Sequence, residues 1–175
     1  RWPAAQLDDA LAQLVASGLL IEQVPRGART FTFKHALVQE VTYSTLLRAR
    51  RQPLHALIAT ALESRFPETV ASQPEVLARH LAEAGLDDRA VLAYRQAGQL
   101  ALSRSAEVEA AAHLRHALAL LQSLADGEPR DRLELSLQTL HGLALSTARG
   151  YADTLTIAAF ERARALVHQV GANEG

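Results

Sequence analysis

Tyr94-Arg95-Gln96-Ala97-Gly98-Gln99-Leu100-Ala101 is followed, one helix later, by Ala110, Leu114 and Ala117. Small residues at i, i+3 and i+4 spacing mark where two helices cross closely, because a larger side chain there would hold the backbones apart. The spacing predicts helices over 87–103 and 106–124, separated by a turn at Ser103–Ser105, with Asp87 and Ser105 as N-caps. Each helix would be about 25 Å long. Antiparallel neighbours of that length joined by short turns stack into a helical solenoid.

The pattern extends in both directions. Ala90, Tyr94 and Ala97 repeat the second-helix spacing about twenty residues earlier, and Phe160 and Ala163 repeat its last two positions, with Leu143 and Ala144 as partners. Gly98, Ala101, Ala110, Leu114 and Ala117 fall in the register of one tetratricopeptide (TPR) unit, so the array resembles TPR repeats. Gln122 stands where the usual proline would be. Further helices are predicted over 74–84, 130–148 and 154–170. Pro74 sits in a first turn, and Gly85, Asp126-Gly127-Glu128-Pro129 and Gly150-Tyr151 form the breaks.

Toward the N-terminus the period changes. Leu7, Leu11, Leu14 and Val15 make one stripe on a helix over 3–17, closed by Gly18. Leu19 to Val24 reads as a strand, Pro25-Arg26-Gly27-Ala28 as a turn, and Arg29 to Phe33 as a second strand with Phe31 and Phe33 on one face. Helix, strand, turn, strand is the second half of a winged-helix module. Helices over 36–48 and 52–66 follow, the second ended by Pro67. The expected fold is therefore mostly α: a partial winged helix, helix plus β-hairpin, in 1–50, a linking helix in 51–73, and a TPR-like α-solenoid in 74–175.

An apolar fraction of 49% suffices for a packed core, and a net charge of −1 gives no global attraction to nucleic acid or anionic lipid. No apolar run approaches the length of a membrane span, no signal-peptide pattern opens the chain, and cysteine is absent. A cytoplasmic setting fits. The chain starts at Arg1, contains no methionine, and draws all but one of its 18 basic residues from arginine, Lys34 being the exception. These features suggest a segment of a larger bacterial protein.

Three stretches carry a wider resemblance. They are Phe31-Thr32-Phe33-Lys34-His35-Ala36-Leu37-Val38-Gln39-Glu40-Val41-Thr42-Tyr43 continuing through Leu46-Leu47 and Arg50-Arg51 to His55; Leu77-Ala78-Arg79-His80 with Glu83-Ala84-Gly85; and Tyr94, Ala97-Gly98, Ser105-Ala106, Glu109-Ala110 and His113-Leu114. Together they resemble the region after the ATPase core in bacterial STAND-type signalling proteins. These include multidomain class III adenylate/guanylate cyclases and related transcriptional regulators that join an AAA-like ATPase to TPR repeats. The resemblance implies a winged helix packed on a nucleotide-binding core upstream in cis, with ATP or ADP bound in that core and no cofactor in this segment. It also implies that His35, just after the last strand, approaches the ADP diphosphate. An imidazole N–H there would donate to a phosphate oxygen. The flanking residues are Lys34 and Ala36, so the acidic residue of the related Met-His-Asp motif is missing. Read from its own position, His35 is a structural histidine that caps a helix start.

Other chemistry is sparse. No Gly-x-x-x-x-Gly-Lys-Ser/Thr sequence occurs, nor a dinucleotide fingerprint. Glu109, His113 and His116 share one helix face at metal-ligand spacing, but the flanking Leu114 and Ala117 belong to hairpin packing, and no metal is expected. His55 and His80 read as packing residues. Arg48, Arg50 and Arg51 form a basic cluster, suited either to phosphate or acidic-partner contact or to solvated helix ends. The first helix carries Asp8 and Asp9 and no basic residue, and only Arg26 and Arg29 decorate the hairpin, so DNA is not an expected ligand. The expected role is regulatory: a non-catalytic arm whose repeats receive a protein or small-molecule effector. A free-standing TPR scaffold for a peptide or protein partner is the alternative.

Overall fold

The computed structural model describes residues 3–25 and 29–172. It is mostly helical, with nine helices and one two-stranded antiparallel sheet among the described residues. Contacts divide the chain into two compact units, 1–50 and 51–175.

The first unit contains α1 (Ala4–Ala16), β1 (Leu20–Gln23), β2 (Thr30–Phe33) and α2 (Ala36–Thr45). Pro3 stands at the N-cap of α1 and Ser17 at its C-cap. Gly18 follows at φ +74°; its N–H donates to Val15 O and that of Leu19 to Leu14 O. This is a Schellman stop, which requires a left-handed residue and so favours glycine. β1 and β2 pair with Leu20 opposite Phe33 and Glu22 opposite Phe31. Phe31 and Phe33 are half-buried on one face while Thr30 and Thr32 face water. The expected turn at 25–28 falls largely outside the described residues, as does Arg26.

Helix α2 is shorter than its apolar spacing predicts, ending at Thr45 rather than near Arg48. Ser44 Oγ and Thr45 Oγ1 donate back to Val41 O and Thr42 O, and Leu46 turns extended. Hydroxyls that bind their own backbone compete with helix continuation. The next helix, α3 (Arg48–Arg65), starts four residues before the expected Gln52, so Pro53 lies inside it and not in its first turn. Pro67, expected only to end this helix, also opens a short α4 (Pro67–Ser72) at its first position.

The second unit continues through α5 (Pro74–Glu83), α6 (Asp87–Ser103), α7 (Glu107–Leu121), α8 (Glu128–Arg149) and α9 (Thr154–Ala172). Each of α6 to α9 packs on the helix before it. Asp87 and Ser105 are not N-caps. Those positions belong to Leu86 and Ala106, and neither helix start carries a side-chain capping bond. The reason lies in the preceding turns. Gly85 (φ +75°) and Ser105 (φ +55°) are left-handed C′ residues, and Leu86 N–H and Ala106 N–H reach back to Leu81 O and Ala101 O. The last residue of each Schellman turn then becomes the N-cap of the next helix, leaving no residue for a polar cap. Asp87 accepts instead from Ser123 Oγ at 2.7 Å.

Two clusters form the core of this unit. One joins Ala59 of α3 to Leu77, Ala78, Leu81, Ala90 and Ala93. The other joins Val91, Ala101, Ala110, Leu114, Ala117, Leu121, Leu137 and Ala144 across α6, α7 and α8.

Candidate functional site

Ala90, Ala97, Gly98, Ala101, Ala110, Leu114, Ala117 and Ala163 are buried, and Tyr94 is half-buried. A Cβ on Gly98 would lie 2.6 Å from Leu114 Cγ, so glycine is what lets α7 approach α6 at that distance. Phe160 is partly exposed, yet a Cβ on Gly142 would meet its ring at 2.8 Å, so α9 seats that ring over α8. The same helices are tied by a two-bond ion pair in which Arg162 Nε and Nη2 donate to Glu134 Oε1 and Oε2, each at 2.7 Å. Those bonds hold the buried Glu134 carboxyl below the usual range, against the opposing effect of burial.

The His113 and His116 rings both stack on Tyr94, with centroids 6.2 and 5.4 Å away, and His113 Nε2 lies 3.5 Å from Glu109. Glu75 and Arg79 of α5 complete a pocket of about 210 Å³ around them. His55 and His80 are packing residues with a polar contact that spacing could not reveal: their Nδ1 atoms are 2.8 Å apart, linking α3 to α5. One ring must be neutral to accept that bond. Burial first, then His55 and Arg79, pushes the His80 imidazole below its ordinary pKa.

In the first unit, His35 is the N-cap of α2, in extended conformation, and its exposed imidazole makes no capping hydrogen bond. Only its carbonyl serves the helix, accepting from Val38 and Gln39 N–H. The basic cluster opens α3, with Arg48 and Arg50 exposed and Arg51 half-buried. No acidic residue shares that first turn, where the helix dipole disfavours cations. Arg29 is bound within its own unit, donating to Asp8 at 2.8 Å and Glu22 at 2.5 Å and lying over the Phe31 ring. That arginine is therefore engaged by carboxylates of the hairpin and α1.

The feature that spacing did not single out is how little α2 buries. No residue of α2 is buried. Leu37 is 70% exposed, and beyond the helix end Leu47 is 74% exposed, with Val41, Tyr43 and Leu46 also open to water. Exposed apolar side chains gathered in this way mark interaction surface more often than ordinary surface.

No family model matches the chain. No solved structure matches it either. Among curated proteins, an uncharacterized protein of Rhizobium meliloti (strain 1021) is 33% identical over 136 residues, which make up 78% of this chain and 13% of that protein. The chain thus spans a small part of the length of the relative it matches.

Proposed function

We propose that this chain is a non-catalytic regulatory and docking segment of a multidomain signalling ATPase. Residues 1–50 act as a partial winged helix that closes on a nucleotide-binding core elsewhere in the same polypeptide. Residues 74–175 act as TPR-like repeats that receive a protein or small-molecule effector. The observation that carries this reading is that α2 buries none of its residues, with Leu37 and Val41 on it and Leu47 just beyond its end open to water. The uncapped His35 imidazole at the same helix start supports a role as donor to a bound diphosphate. The Gly98–Leu114 approach supports TPR-like packing, and the far longer Rhizobium relative is the kind of polypeptide such a segment would belong to. An arm of this type works by contacting one nucleotide state more strongly than the other, which shifts the population toward that state.

The test measures ADP release from the polypeptide containing both this segment and its nucleotide core. The double variant Leu37→Glu/Val41→Glu is expected to speed release by about tenfold or more, equivalent to losing roughly 1.4 kcal/mol of docking energy. His35→Ala is expected to act in the same direction. Unchanged release in both would overturn the proposal, as would ATP turnover or cyclic-nucleotide synthesis by the purified 175-residue chain.

A further inference from the structure

Helix α3 is long and held by little. Of its 18 residues only Ala59 is buried, in the cluster with Leu77, Ala78 and Leu81 of α5 and Ala90 and Ala93 of α6. Pro53 lies inside the helix and has no N–H to donate to Ala49 O, so the N-terminal half is its weaker end. Further along, Glu63 pairs with Arg89 of α6 at 2.5 Å, but both side chains are well exposed, and such pairs contribute little. The half-buried polar tie is His55, two residues after Pro53 and one turn before Ala59, whose Nδ1 lies 2.8 Å from that of His80 on α5.

This bond carries a condition that an amide contact lacks. One Nδ1 holds a proton and the other offers a lone pair. A first added proton leaves the bond intact and charge-assisted. A second sets two N–H groups against each other, on cationic rings whose centroids are 5.0 Å apart. The surroundings do little to offset that repulsion. On α5 itself Arg79 adds positive charge and Glu83 opposes it. On α3 the half-buried Arg51 stands one turn before His55. On α6, Tyr94 responds to the same Arg79 and Glu83 and stays neutral below its raised pKa, Asp87 accepts from Ser123, and Arg89 pairs with Glu63. The charged residue of α4 is the exposed Glu68, and His113 and His116 of α7 share a pocket with Arg79.

We propose that His55 and His80 form a proton-operated latch, which ties α3 to α5 at neutral pH and releases α3 when the second imidazole is protonated. The latch rests on the pair itself and does not depend on the docking role of residues 1–50. Its direction follows from His80, whose pKa is lowered by burial first and then by His55 and Arg79. The closed arrangement therefore takes up its last proton less readily than the open one. Closure is fully favoured above the ordinary imidazole value of about 6.5 and weakens as pH falls below it.

The experiment is amide hydrogen exchange of the full chain at about pH 7 and about pH 5, expressed as protection relative to the intrinsic rate at each pH. Protection of α3 is expected to fall by about tenfold or more between the two, while α7 stays protected. His55→Gln/His80→Gln, which keeps two polar groups but removes the protons, is expected to make α3 protection independent of pH, whatever its level. His113→Gln/His116→Gln is expected to retain the fall. Nitrogen NMR of the imidazoles at neutral pH is expected to show one of the two Nδ1 atoms protonated and the other bare. Equal α3 protection at both pH values, an equal fall in α3 and α7, or a fall that persists in His55→Gln/His80→Gln would each overturn the proposal. So would loss of the fall in His113→Gln/His116→Gln, or two bare Nδ1 atoms at neutral pH.

Discussion

Gly98 is a position where one atom decides the packing of two helices. Its missing Cβ leaves room for Leu114, which is fully buried at the centre of the α6–α7–α8 cluster. Alanine is the better helix former by about 1 kcal/mol, but here its methyl would fall 2.6 Å from Leu114 Cγ. Overpacking of this kind typically costs about 1–3 kcal/mol, so Gly98→Ala should lower the melting temperature by a few degrees. Gly171 is the matched control, since a Cβ there meets nothing within 4 Å. Gly171→Ala should be neutral or slightly stabilising, by up to about 1 kcal/mol. Thermal melts should therefore show a fall for Gly98→Ala and none for Gly171→Ala, and a fall of equal size in both would refute the steric account. Gly98 was legible from sequence because a glycine inside a helical pattern calls for a packing reason. The identity of its contact was not: spacing put Gly98 and Leu114 in one repeat register, and only the packed helices set one against the other.

At the scale of elements, α8 and α9 are held by an ion pair in addition to the close approach of Phe160 to Gly142. That pair joins Glu134 and Arg162, with the glutamate side chain 6% exposed and the arginine 46% exposed. Removing one partner of a buried pair leaves an unpaired charge. The loss is reduced here because the arginine is half in water, so Arg162→Leu should cost about 2 kcal/mol at neutral pH. The sign of the pH dependence follows from Glu134. Its folded carboxyl is held below its unfolded value by the Arg162 hydrogen bonds. The stabilisation is therefore complete above the unfolded carboxylate range, about 4.3, and disappears as pH falls through the lowered folded value. Urea unfolding at pH 7 should separate wild type from Arg162→Leu, and the gap should close as pH drops below about 4. A gap that is independent of pH would mean that the arginine acts only through its aliphatic packing. Sequence alone did not reveal this pair. Glu134 and Arg162 lie on different helices, and only the way α9 returns along α8 brings them together.

For the whole molecule, the two units differ in how much they bury. Among the described residues of 1–50 only Leu20 is buried, whereas the second unit contains two apolar clusters. Local opening free energy follows burial. Amides of α2 should therefore exchange with solvent orders of magnitude faster than those of α7, and equal protection in native-state hydrogen exchange would contradict that ranking. A small unit with an open apolar side is also what the proposed docking role requires. Exchange measured in the longer polypeptide should show α2 slowed if that side is covered.

Much was determined by sequence alone. The helical periods, the change to alternation at Phe31 and Phe33, the left-handed stops at Gly18 and Gly85, and the small crossing residues of α6 and α7 are all local signals with local causes. They sufficed for a mostly helical chain with one hairpin. Tertiary structure decided the rest, because its causes lie between elements distant in sequence. The displaced N-caps arose from turns shared by two helices. The His55–His80 contact and the Glu134–Arg162 clip each join residues that no period relates. The exposure of α2 depends on what its own unit fails to cover, and an apolar stripe reads the same in sequence whether it is buried or left open.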